Sequence, residues 1–450
     1  MKPLGQNPAH GHGRRWRAFP PRPRRSLLAF GCVLALCSAG AVRADAVTDW
    51  NAVATQSTNP LPLPARLRAM AMVQIAVHDA LNAIDPRYQR YTATPAASAG
   101  ALSDAAVATA AHDVLFAVAP AAQQGAIGAA YASALAGLPS CPASIACQNG
   151  VAAGQAAAAA ILANRTNDGS QASPHLPYTL AAGPGVYQPT PDIPAPGVPA
   201  FANWANVRPF TIGDSALFHG LFRAPDSDLR ILTSKTYTVD YAQVKAFGAK
   251  PVRAASPNSS KSQIARFWYG SAGSDWATTT RGVVAGLGLD PWEHARLFAL
   301  LAIAQADVPI SVFESKYHYT FWRPVTAIRW LDDGNPDTEP DPTWTPYLVT
   351  PPYPDYPCGT PALAGAGTEI LRDFFATDDF PWTAASSFPG QPGVPAGTVV
   401  RTYRTFSGAA DESAMARVYA GIHFGTGCHV GVKQGEKIAR YAFEHLLRPF

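Results

Sequence analysis

Apolar residues recur at Leu67, Met70, Ala71, Val77, Leu81 and Ile84, the spacing of one helical face, and Asp85-Pro86 ends the run. Segment 101–165 is rich in Ala and poor in β-branched residues, with breaks at Pro120 and around Pro139 to Pro142, which predicts antiparallel helices. His78 and His112 fall inside these helices and read as hydrogen-bonded core or groove residues. Between 170 and 210, prolines from Pro174 to Pro209 interrupt any regular element. Tyr178, Tyr187, Phe201, Trp204 and Phe210 nevertheless give that stretch apolar anchors, so an ordered wrap is expected rather than a free linker. Helical patterning resumes near Ser215 and continues, with a polar break at 253–262, to Arg323. A Pro- and Asp-rich loop at 331–357 then precedes helices around 360–375, 408–420 and 431–447. The chain has no tandem repeat, glycine-rich phosphate loop or strand–helix alternation. The expected class is all-α, a helical bundle with long Pro-rich loops.

The chain of 450 residues, 48% hydrophobic and 15% charged, can bury a large core. Its positive charge is concentrated in the leader: eight of the 35 Lys and Arg precede Asp45, leaving 27 basic against 31 acidic residues. Nothing in the remainder suggests a nucleic-acid-binding surface. Residues 1–44 join this basic stretch to an apolar run from Ser26 to Ala41 and a small-x-small Ala-Val-Arg-Ala sequence ending at Ala44, the pattern of a cleaved secretory signal. The run is shorter than the ~20 apolar residues of a membrane span, so no span is expected once the signal is removed. Arg24-Arg25 weakly resembles a twin-arginine signal. An exported protein, periplasmic or secreted, is therefore expected, with 45–450 as one helical domain. In an oxidising compartment the four remaining cysteines favour two disulfides. Cys141 and Cys147 flank a short Pro-containing turn and form the first expected pair, which leaves Cys358 with Cys428.

Asp307-Val-Pro309 reads as a helix start, with Asp as N-cap, and Pro324 as its end. On that helix Lys316 and Arg323 are seven residues apart and return to one face among Tyr317, Phe321 and Trp322. Two cations in aromatic surroundings are costly unless they meet an anion; a snorkelling pair at a helix C-terminus is the alternative. Arg417 and His423 lie about 240° apart on a continuous helix, so sharing a site requires a break, for which Gly421 is the natural place.

The string from Lys316 to Arg323-Pro324 (Lys, six residues, Arg-Pro) resembles the first signature of the vanadium-dependent haloperoxidase and type-2 phosphatidic acid phosphatase superfamily. Pro351-Pro-Tyr-Pro-Asp-Tyr-Pro357-Cys358-Gly359-Thr360 is similar to its second signature, Pro-Ser-Gly-His, and Arg417 to His423 to its third, Arg-x-x-x-Gly-x-His. The resemblance spans about residue 65 to the end and implies an oxyanion-site core at about 285–450. It implies that Lys316, Arg323 and Arg417 neutralise equatorial oxygens of a tetrahedral anion, and that Cys358 and Gly359 line the same site, with the Gly359 amide donating. His423 would supply the apical atom, as the vanadium ligand of bound vanadate or as the nucleophile that forms a phosphohistidine. The implied partners are an oxyanion with hydrogen peroxide and halide, or a phosphoester.

Two positions depart from the pattern. The second signature has Cys358 for Ser and Thr360 for the acid/base His, and Thr360 cannot titrate near neutral pH. The expected loss is about 10²–10⁴-fold, the usual contribution of a positioned general acid. Gly427 stands where an acidic residue often follows the apical His, so the partner that orients His423 is unassigned. A Cys358–Cys428 bridge would tie the second signature to the third. His318 should point away from the Lys316 face, and His429, in a glycine-rich turn, is the substitute proton donor expected here. The expected function is haloperoxidase-like and impaired at Thr360; the alternatives are a phosphoester hydrolase through His423 and a non-catalytic phosphate or vanadate trap.

Overall fold

The computed structural model describes residues 45–450 except Ser140, Tyr178 and 191–198. The expected signal at 1–44 lies outside the described residues. Fifteen helices are found among them: α1 Ala46–Thr58, α2 Leu63–Ile84, α3 Ser103–Val118, α4 Gln124–Ala136, α5 Ile145–Asn164, α6 Ser215–Phe222, α7 Lys235–Phe247, α8 Lys250–Ala254, α9 Ser260–Tyr269, α10 Trp276–Val284, α11 Pro291–Tyr319, α12 Pro324–Arg329, α13 Gly359–Phe375, α14 Phe406–Tyr419 and α15 Gly425–His445. The mostly helical architecture matches the expected class. A two-stranded antiparallel hairpin, β1 Asp379–Phe388 with β2 Gly397–Thr405, adds to it between α13 and α14.

Helix α11 is the axis of the bundle. Asp290 caps it through a reciprocal box with Glu293, Pro291 occupies the first turn, and the side chains from Ala295 to Phe313 are buried without a gap. An apolar helix of 29 residues has the length to cross a membrane, but here α2, α13 and α15 pack against it. The helix runs straight through Asp307 and Pro309, correcting the expectation that it starts there. Asp307 caps nothing on α11. Its buried carboxylate accepts hydrogen bonds from the Phe210 amide (2.7 Å), the Thr211 amide (2.8 Å) and the Thr211 hydroxyl (2.6 Å), and so pins the Pro-rich wrap to the core. Burial pushes this carboxyl up to about 6, while the hydrogen bonds from Phe210 and Thr211 hold it down.

Glycines set the spacing of α13 and α15. A Cβ on Gly431 would lie 2.3 Å from the Cys358 carbonyl, one on Gly435 1.9 Å from the Ala362 carbonyl, and one on Gly365 2.2 Å from the Val432 carbonyl. The backbones therefore touch, which any larger residue would prevent. Cys358 against Gly431 and Ala362 against Gly435 advance together, so the two helices run parallel and begin at the same end of the bundle.

Candidate oxyanion site

The common end of α13 and α15 is where the three signature segments meet. Helix α11 stops at Tyr319 because Thr320 turns into the left-handed region (φ 49°), and Arg323 is the N-cap of α12. Lys316 and Arg323 are thus joined by a turn and do not share a helical face, which corrects the expectation from their spacing. Helix α14 ends at Tyr419, and Gly421 adopts φ 77°, where a Cβ would lie 2.4 Å from the Gly248 carbonyl. The expected break is therefore present, and it carries His423 back beside Arg323.

Lys316, Arg323, Arg417 and His423 are all buried. Lys316 Nζ donates to the Pro354 and Asp355 carbonyls, both at 2.8 Å, which fixes the second signature loop on the end of α11. Arg323 Nε donates to the Tyr353 carbonyl (2.7 Å) and Nη1 to the Ile422 carbonyl (2.8 Å). The same Nη1 lies 2.8 Å from His423 Nε2. Arg417 Cζ stands 5.4 Å from the centre of the Tyr269 ring. Arg323 Nη2 and Arg417 Nε are buried donors without a hydrogen-bond acceptor; Arg253, Arg266 and Arg401 each leave an Nε unmatched elsewhere, but only here do two meet beside a third cation, Lys316, among the described residues. Leaving a charged donor unmatched costs more than leaving a neutral one, so two at one site call for an anion.

The carboxylate nearest His423 belongs to the second signature rather than to position 427. Asp355 Oδ1 lies 2.9 Å from His423 Nδ1, although the contact is not aligned for a linear N–H···O bond. Arg323 Nη1 lies within reach of both ring nitrogens, 2.8 Å from Nε2 and 3.2 Å from Nδ1; the tautomer that leaves Nε2 as the acceptor and Nδ1 protonated on the Asp355 side suits both neighbours. In that tautomer the Nε2 lone pair accepts from Arg323 Nη1, and an anion bound axially would take it over from the guanidinium.

The electrostatics are those of a buried cationic site. Burial, then Arg323, Lys316 and Arg417, hold the His423 imidazole well below its usual range, so it stays neutral. Burial and the neighbouring Arg323 bring Lys316 down to about 7. Burial raises Asp355 to about 7 despite the opposing pull of Arg323 and Lys316. Burial also raises Cys358, but the hydrogen bond from Cys428 and the charges of Arg417 and Lys316 outweigh it and bring the thiol down. Cys428 is pushed well above the ordinary thiol range by burial and by its neighbour Cys358.

Cys358 is the N-cap of α13 and Gly359 its first residue, so the unshared amides of that helix open onto the site. Thr360, half-buried, sits one residue further on, with Cγ2 3.0 Å from where a Cβ of Gly273 would be. His318 and His429 are both exposed. His429 lies on α15 and not in a turn, and its charge acts on Asp240 of α7, so the structure removes it as a substitute acid. The expected Cys358–Cys428 bridge is absent: both thiols are free and buried, with their sulfurs within 4.8 Å of each other, whereas Cys141–Cys147 is bridged at a Cα separation of 5.5 Å. Sequence reasoning missed Asp355 and Tyr353. The Tyr353 ring centre lies 4.9 Å from Arg323 Cζ and 5.1 Å from Lys316 Nζ, stacked over both cations.

Donor atoms of Cys358, His423 and Cys428 lie within 4.8 Å of one another, a spacing that suits a soft cation. Lys316, Arg323 and Arg417 surround the same point, with Asp355 the carboxylate beside them, and this charge balance favours an oxyanion. The two unmatched guanidinium donors fit vanadate or phosphate for the same reason.

Residues 296–450, the part that carries this geometry, match the family described as VCPO second helical-bundle domain. The vanadium chloroperoxidase of Curvularia inaequalis is 28% identical over 29% of this chain, and the match spans only 28% of that protein's length. Two solved bacterial structures extend the likeness to nearly the whole chain. A vanadium-dependent iodoperoxidase has a TM-score of 0.69 at 22% identity, covering 90% of this chain and 96% of that one. An apo vanadium-dependent chloroperoxidase has a TM-score of 0.66 at 18% identity, covering 86% and 93%. The family model over residues 296–450, the curated relative and the two shared folds together support the vanadium haloperoxidase superfamily. Against the signatures of that superfamily, this chain differs in having Cys358 and Thr360 in the second.

Proposed function

We propose that this chain is an exported haloperoxidase-like enzyme that binds vanadate at Lys316, Arg323, Gly359, Arg417 and His423 and works slowly because Thr360 cannot move a proton. The observation that carries the reading is the pair of buried, unmatched guanidinium donors, Arg323 Nη2 and Arg417 Nε, beside a His423 that burial and the surrounding cations hold neutral. Bound vanadate would supply the Lewis acidity that activates hydrogen peroxide toward halide. The chain's own residues do the rest. Arg323 and Arg417 would hold the anion's charge, Lys316 ties the second signature loop in place, Asp355 sets a carboxyl group against the imidazole, and burial keeps water from competing for these donors. Export rests on the basic and apolar leader at 1–44.

Halide oxidation with vanadate, peroxide and bromide, run beside phosphoester hydrolysis with vanadate omitted, tests the reading. Vanadate-dependent bromination supports it. Phosphoester turnover alone, lost in His423→Ala, would replace it with the phosphohistidine hydrolase, and oxyanion binding without either activity would replace it with the non-catalytic trap.

A further inference from the structure

Two buried thiols remain that the proposed reaction does not use. Cys358 occupies the place where the family signature has a serine, at the N-cap of α13, and Cys428 lies in the first turn of α15. The amide of Cys358 donates to the Gly427 carbonyl at 3.0 Å, and the absence of a side chain on Gly431 lets the α15 backbone press against the Cys358 carbonyl. These contacts hold both sulfurs and the His423 ring within 4.8 Å of one another. Arg417 and Lys316 are the cations that act on Cys358. In the family's arrangement a hydroxyl here is inert to peroxide. A thiol in the same place is oxidisable, and a second thiol stands close enough to resolve the product.

The geometry points to a second, thiol-based activity at the same pocket: two-electron reduction of a hydroperoxide by Cys358, resolved by Cys428. In the first step the Cys358 sulfur attacks one peroxide oxygen. An S–O bond forms, the O–O bond breaks, and with hydrogen peroxide the other oxygen leaves as water, taking the thiol proton. In the second step the Cys428 sulfur attacks the sulfenic sulfur, an S–S bond forms, the S–O bond breaks, and hydroxide leaves as water with the Cys428 proton. The two thiols supply both electrons, so one dithiol consumes one peroxide, and further turnover needs a small-molecule thiol as reductant. Closing the bridge would join the N-cap of α13 to α15 and remove the Cys358 S–H from the oxyanion site. The inference shares its pocket with the proposed function but needs neither vanadate nor halide.

The test uses the whole protein, reduced with dithiothreitol, desalted, and treated with stoichiometric hydrogen peroxide in the absence of vanadate and halide. Peptide mapping under non-reducing conditions should give a Cys358–Cys428 cross-linked peptide and the loss of both alkylatable thiols. Dithiothreitol should restore them, while Cys141–Cys147 serves as the internal reference. Cys428→Ser should stop at a sulfenic acid on Cys358 that dimedone traps, and Cys358→Ser should give no dimedone adduct on Cys428. Thiols that stay alkylatable after peroxide, a sulfenic acid on Cys428 instead, or a bridge already closed that dithiothreitol cannot open in the folded protein would each overturn the inference. Bromination measured on the same sample with vanadate reports the proposed function separately, so either can fail alone.

Discussion

Two buried clusters of arginine and aspartate show how differently one set of residue types is used. At the junction of α5 and the Pro-rich wrap, Asp168 receives Arg68 Nε at 2.7 Å and Arg165 Nε at 2.9 Å on one oxygen, and the Ser170 hydroxyl at 2.6 Å on the other. Arg165 spends its remaining donors on the Pro209 and Arg208 carbonyls and stacks 3.8 Å from the Phe210 ring centre. At the oxyanion site neither Asp355 oxygen has an aligned donor, and Arg323 and Arg417 each keep a buried nitrogen without an acceptor. The first cluster is closed and holds a loop to a helix. The second keeps two buried guanidinium donors without acceptors, and the proposed oxyanion reading rests on this shortfall more than on the presence of charge.

The largest expected effect falls on turnover at the open cluster. Thr360→His should raise bromination or phosphoester turnover by about 10²–10⁴-fold while vanadate affinity stays nearly unchanged, and adding His423→Ala should abolish the gain. A wild-type rate already equal to that of Thr360→His would mean that another group supplies the proton, with Tyr353 the first to examine. The next effect falls on stability at the closed cluster: Asp168→Ala strands Arg165 and Arg68 and should cost about 3–5 kcal/mol in denaturant unfolding.

The pH dependence of stability should run in opposite directions at the two aspartates. Asp168 is raised by burial, but its hydrogen bonds from Arg68 and Ser170 and the charges of Arg68 and Arg165 bring it below its usual value of 3.8. Its stabilisation is therefore present above 3.8 and is lost as pH falls through its folded value. Asp355 sits at about 7 in the folded protein, so between 3.8 and about 7 the native state binds a proton that the unfolded state has released. Stability from this group falls as pH rises through that window. Asp355→Asn should therefore gain on wild type from pH 4 to 7, whereas the penalty of Asp168→Asn should shrink below pH 4. Parallel slopes in urea unfolding across that range would contradict the distinction. The smallest effect is expected from His429→Ala, which touches neither cluster and should leave turnover and its pH profile unchanged.

How much of this was legible in the sequence depended on whether the signal was local. The helix at α2 and the break at Gly421 follow from nearest-neighbour chemistry and are present, although α2 is buried on every face from Ala69 to Ala83 rather than along one stripe; of the expected wrap anchors, Tyr187, Trp204 and Phe210 are buried and Tyr178 lies outside the described residues. Asp307-Val-Pro309 misled because an aspartate two residues before a proline looks the same whether its carboxylate caps its own helix or, as here, takes amides from residues 210 and 211. The 379–405 hairpin was written in the β-branched and aromatic run Thr398-Val-Val-Arg-Thr-Tyr403, which helical patterning on either side obscured. The cations and His423 were readable because the signatures fix their order. Asp355 was not, because its role depends on a chain reversal that brings the residue before Tyr356 against a histidine from a different segment.

The central claim is that the unmatched donors of Arg323 and Arg417 define an oxyanion site. Isothermal titration of vanadate into wild type and Arg417→Met measures it most directly, because Arg417 Nε has no protein acceptor whose loss would disturb the fold. The account predicts one anion per chain in wild type, competition by phosphate, and affinity lower by about 10–100-fold in Arg417→Met with unfolding nearly unchanged, corresponding to one charged hydrogen bond of about 1.5–3 kcal/mol. No binding heat in wild type, or equal affinity in the two proteins, would contradict it.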